Sequence, residues 1–90
     1  MNPKTQEALI ILSEECAEVV QEVCKIQRFG IDTISHHTGL THTETLEKEV
    51  ADVLAMIDIL IDQGVLNTDK LSAGKQAKFN KLKKWSKLYE

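Results

Sequence analysis

Residues 41–64 read THTETLEKEVADVLAMIDILIDQG, and the two ends of that stretch decide what lies between them. Thr41-His42-Thr43-Glu44 fits a capping box, in which a threonine hydroxyl and a glutamate three residues on satisfy each other's backbone N–H groups. A helix is therefore expected to start within a residue or two of Thr43, to continue to Gln63 and to stop at Gly64. At about 100° per residue, Leu46, Val50, Val53, Met56, Ile57, Leu60 and Ile61 form one apolar arc. Glu47, Asp58 and Asp62 project away from it as surface acids. Glu49 does not: it projects between Met56 and Leu60, and Asp52 lies between the directions of Met56 and Ile59. An ionised carboxylate in apolar surroundings is expensive unless it is paired or metal-bound. Glu49-Val50-Ala51-Asp52 is the sharpest signal in the chain.

The preceding segment supplies a second acidic cluster. Asn2-Pro3 reads as a helix cap and first helical position, and the periodic pattern runs to about Phe29 before Gly30 ends it. Leu9, Leu12, Cys16, Val19, Val20, Val23 and Cys24 form a broad apolar arc. Glu14, Glu15, Glu18 and Glu22 fall on the other side, bracketed by Ile11 and Phe29, which makes that side the expected wall of a cavity or interface. Like charges three and four residues apart repel on a helix, so a bound cation is the economical reason for keeping them. Cys16 and Cys24 are too far apart along one helix for a disulfide and are expected as reduced core residues.

Residues 30–43 carry turn formers and no sustained period, so they read as a loop of unusual length, suited to a lid or an interface. His36, His37 and His42 fall there and are expected to be solvated. A third helix, capped by Asn67, Thr68 or Asp69, follows Gly64 and runs close to the C-terminus. Its three-four seam holds Leu71, Leu82, Trp85 and Tyr89, with Lys75 and Lys78 at two positions where apolar residues belong. Two adjacent lysines in a seam point to an anionic ligand or an acidic partner surface. Lys83, Lys84 and Lys87 point elsewhere, as a solvated face.

Ninety residues with one Pro and four Gly make a single small helical domain, 1–90, with a limited core. The net charge of −3 conceals an asymmetry: residues 1–66 hold 12 acids against 4 Lys/Arg, and residues 67–90 hold 7 Lys against 2 acids. No signal-peptide pattern or membrane-length apolar run is present, so a cytoplasmic location is expected, with no membrane partner. The acidic chain lacks a continuous basic groove, which argues against direct nucleic-acid binding.

If the first two helices pack antiparallel, four or five carboxylates surround one point. Oxygen-only ligation selects Mg²⁺ or Mn²⁺, and without Cys/His spacing zinc is disfavoured. Mg²⁺ is commonly held by a few carboxylates and substrate phosphates together, and Lys75 and Lys78 would suit the latter. The expected chemistry is hydrolytic phosphoryl or nucleotidyl transfer on a polyphosphate.

Glu14-Glu15-x-x-Glu18 followed on the next helix by Glu49-x-x-Asp52 resembles the E-E-x-x-E…E-x-x-D pattern of the MazG-like all-α nucleoside triphosphate pyrophosphohydrolases. The string from Glu14 through Arg28-Phe29-Gly30 is similar to the short phage and bacterial members, and Lys75-x-x-Lys78-Phe79 extends the likeness loosely into the third helix. The resemblance implies hydrolysis of an NTP or dNTP, dGTP or another purine dNTP among them, to the monophosphate and pyrophosphate. It implies Glu15, Glu18, Glu49 and Asp52 as Mg²⁺ ligands, with Glu14 either a further ligand or the group that orients the attacking water. Lys75 and Lys78 are the chosen phosphate contacts; Trp85, Phe29 and the loop histidines are candidates for stacking on the base.

Three helices of this size cannot bury every apolar face named above. The expected fold is all-α, a three-helix protomer that completes MazG-like four-helix bundles by assembling into a homodimer at least, and a homotetramer by preference. The competing reading is a non-catalytic helical oligomerisation module, in which Lys75 and Lys78 pair with the acidic clusters across an interface.

Overall fold

A computed structural model describes residues 1–90, and every regular element in it is helical: α1 (Pro3–Phe29), α2 (His42–Asp62) and α3 (Thr68–Trp85). Local chemistry sets each boundary. The Asn2 side chain accepts the Lys4 N–H at 2.7 Å at the start of α1, and Gly30, at φ 99°, ends it by donating its N–H to Ile26 O. The capping box of α2 is complete: Glu44 N–H donates to Thr41 Oγ1 and Thr41 N–H to Glu44 Oε1, both at 3.1 Å. Gly64, at φ 76°, closes α2 in a Schellman turn, its N–H donating to Ile61 O and that of Val65 to Leu60 O. Asn67 Oδ1 accepts the Lys70 N–H at 3.0 Å and caps α3.

Ala8 clusters with Met56 and Leu60 at one end of α1, while Phe29 stacks on His42 at the other, so α1 and α2 run antiparallel. They meet along two seams with alternating steps of four and three. Ala8, Leu12, Glu15, Val19, Glu22 and Ile26 form the α1 seam; His42, Leu46, Glu49, Val53, Met56 and Leu60 form the α2 seam. All twelve are buried or half-buried. Leu60, with no exposed surface, is the centre of a core extended by Leu9, Ile11, Leu12 and Leu66.

This seam corrects the orientation of α1. The direction it presents to α2 lies roughly 80° from the centre of the apolar arc expected from the sequence. Cys16 and Cys24 are therefore exposed rather than core residues, and Val20 is 61% exposed. On α2, Val50 and Leu54 are exposed in the same way. By helical phase the two apolar stripes share one broad side of the helix pair, and Glu14, Glu18 and Asp52 lie on the opposite side.

The segment Gly30–Thr41 is more ordered than a plain loop. Ile34 bridges to Thr41, Ser35 N–H donates to Leu40 O, and both the N–H and the hydroxyl of Thr43 donate to Ile31 O. These bonds stitch the segment to the first turn of α2.

α3 stands apart from this pair and makes at most a marginal contact with either helix. The result is a slab of 40 × 36 × 14 Å with a radius of gyration of 15.9 Å, against about 12 Å for a compact chain of this length. Its 7,097 Å² of accessible surface exceeds by roughly 1,800 Å² the ~5,300 Å² of a compact monomer of its mass. No helix is long and apolar enough to cross a membrane.

Candidate metal centre

Seam positions on facing helices bring Glu15 and Glu49 together half-buried, and Asp52, one turn beyond Glu49, reaches them from the exposed side. One carboxylate oxygen from each lies within 4.8 Å of the other two. No cationic side chain answers them, because the only ion pair in the protein joins Lys25 to Glu22 at 3.1 Å. Glu15 registers the strain: its pKa is raised above the ordinary glutamate value, first by desolvation, then by the charges of Asp52 and Glu49, by a hydrogen bond with Asp52 and by the charge of Glu18. Each of these disfavours its ionised form. Three converging carboxylates, hard oxygen donors with no counter-charge, fit Mg²⁺ or Mn²⁺ by donor type.

The remaining predicted site residues are placed differently. Glu18 is exposed and outside the converging trio, yet near enough for its charge to act on Glu15. Glu14 is exposed and belongs to neither group. Lys75 and Lys78 are exposed on α3, which does not pack on the acid-bearing pair, so this chain does not bring its lysines to its own acids.

Two residues that the sequence named, Glu22 on the acidic side of α1 and His42 among the loop histidines, prove to be buried in the seam, which the sequence reading did not assign to either. Glu22, only 5% exposed, follows Glu15 by seven residues in the same seam; Lys25 Nζ donates to its Oε1, and its Oε2 has no partner. The four-three repeat running from Ala8 to Ile26 was the signal that would have found it. His42 was expected in a solvated loop, but it is the first residue of α2, at a seam position, and is 6% exposed with Nδ1 unpartnered. Its ring lies 5.8 Å from that of Phe29, with 21° between their planes, and the Arg28 guanidinium lies 5.0 Å from the same phenyl ring. A cavity of about 390 Å³ opens between Lys25, Phe29, His42 and residues 33–37.

Comparison with protein families, with curated proteins and with solved structures found no match to this chain.

Proposed function

We propose that the protein is a Mg²⁺-dependent nucleoside triphosphate pyrophosphohydrolase of the MazG-like type, releasing a monophosphate and pyrophosphate from an NTP or dNTP. The observation that carries this reading is the convergence of Glu15, Glu49 and Asp52 within 4.8 Å, with no cation of the chain beside them. In this reading Glu15, Glu18, Glu49 and Asp52 hold the ion, with Mn²⁺ able to replace it. A bound Mg²⁺ supplies charge neutralisation for the phosphates and eases ionisation of a water. Glu15 binds the ion in its ionised form, so its raised pKa sets protons and the ion in competition. Glu14, exposed and next in sequence to Glu15, serves as a further ligand or orients the attacking water. Lys75 and Lys78 contact the phosphates.

The cavity beside Phe29 and His42 suits the base. His42 precedes Glu49 by seven residues, about 10 Å along α2, which is within the reach of one nucleotide. The roughly 1,800 Å² of excess surface supports completion of the fold by assembly, as four-helix bundles in a homodimer or homotetramer. A cytoplasmic location follows from the substrate class.

The second reading, a non-catalytic helical oligomerisation module, draws support from the excess surface and from exposed apolar residues such as Val20, Val50 and Leu54. A panel of canonical and modified nucleotides, incubated with Mg²⁺ and assayed for monophosphate and pyrophosphate, separates the two. Pyrophosphate release from at least one nucleotide is expected, falling on the order of 100-fold or more in Glu18→Gln and Asp52→Asn. No release from any nucleotide refutes the enzyme.

A further inference from the structure

α3 carries a four-three repeat of its own, Leu71, Lys75, Lys78, Leu82 and Trp85, apolar at both ends and cationic in the middle. The acid-bearing side of the α1–α2 pair has the same order with the sign reversed. Ile11 and Ile59 stand at one end, the acids in the middle and Phe29 at the other. Lys75 and Lys78 have the spacing of Glu15 and Glu18, and of Glu49 and Asp52. Lys78 is seven residues from both Leu71 and Trp85, and Asp52 is seven from Ile59.

Within its own chain α3 does not pack along the α1–α2 pair. The N–H groups of Val65 and Leu66 both donate to Leu60 O, and Leu66 packs on the core. Phe79, Trp85, Leu88 and Tyr89 are left exposed on and after α3. The excess surface of roughly 1,800 Å² per chain falls within the ~1,000–2,500 Å² that each side of an obligate dimer buries.

We propose that α3 of a second copy lies along the acid-bearing side of the α1–α2 pair, so that the lysines of one chain complete the metal centre of another. The docking rests on complementary charge and on area; the lysines' contact with phosphate rests on the pyrophosphohydrolase reading. Docked lysines offset the mutual repulsion of Glu15, Glu49 and Asp52, which nothing within one chain does.

The test begins from full-length protein carrying Cys16→Ser and Cys24→Ser, since both native thiols are exposed. One preparation adds Asp52→Cys, another adds Lys78→Cys, and the two are mixed and oxidised. A disulfide joining unlike chains, identified by mass spectrometry, is the expected result. Absence of that product, or an internal disulfide in a chain carrying both changes at high dilution, overturns the docking. A second arm mixes Asp52→Asn with Lys75→Glu/Lys78→Glu, each inactive alone. In a symmetric dimer the mixture should recover about a quarter of the wild-type rate. No recovery in mixed oligomers overturns the completion of the centre. If wild-type protein hydrolyses no nucleotide, the enzyme reading falls, while the disulfide still decides the docking.

Discussion

Glu15 and Asp52, carried on facing helices, bring carboxylate oxygens within 4.8 Å of each other, with no cationic side chain paired to either. Each charge disfavours the other, and protons and a cation compete for the same oxygens.

The first prediction follows from the direction of the Glu15 shift. Its folded pKa lies above the unfolded one, so ionising it costs stability. Metal-free protein should lose stability as the pH rises from the ordinary glutamate range through the raised value, and recover it on acidification. Asp52→Asn removes two of the causes. Thermal unfolding of the metal-free proteins should show the variant the more stable near pH 7, with the gap closing toward pH 4. A gap independent of pH would contradict the arrangement.

Metal should reverse that order. Mg²⁺ at 100 times its Kd adds about 2.7 kcal/mol, and each kcal/mol raises the Tm of a domain this size by roughly 4–8 °C. The rise is expected in wild type and lost in Glu49→Gln and Asp52→Asn. Equal shifts in all three would remove the centre from the account.

Glu22 offers a test separate from catalysis. Its carboxylate is buried, with one oxygen satisfied by Lys25 and the other by nothing. Replacing a buried charged group by an apolar one of similar size is often neutral or stabilising by about 1–4 kcal/mol, so Glu22→Leu should hold or raise the unfolding free energy in urea. Lys25→Ala leaves the carboxylate unpaired and should lower it by about 1–3 kcal/mol. A Glu22→Leu protein less stable than Lys25→Ala would show that the carboxylate has a partner the seam does not supply.

Leu54 reports on the apolar side. At 56% exposure its replacement should change an isolated chain by no more than about 0.5 kcal/mol. Leu54→Glu in an assembly that covers this side should instead lower the molar mass measured by light scattering. An unchanged mass would place the contact between copies elsewhere.

The helix ends were legible in the sequence because each is decided within four residues: Asn2-Pro3, the Thr41–Glu44 box and Gly64 act locally. The facing of α1 was not legible. Its most apolar arc and its acid-bearing edge lie side by side, and only the partner helix decides which direction becomes the seam. The acids of Glu49-x-x-Asp52 could be picked out because they interrupt an apolar arc. Glu22 lay hidden among other acids, and His42 among loop residues, until the four-three repeat set both inside. The position of α3 depends on the elbow at Gly64–Asn67 and on whatever covers the rest of the surface, neither of which a helical period encodes.

The 14 Å thickness of the slab has a further consequence. A body about one helix deep gives almost every side chain a route to water, and just five of 90 residues escape it. Folding of such a chain is tied to concentration: dilution should lower the melting temperature, and newly made copies should stay open to proteases until enough have accumulated to find one another.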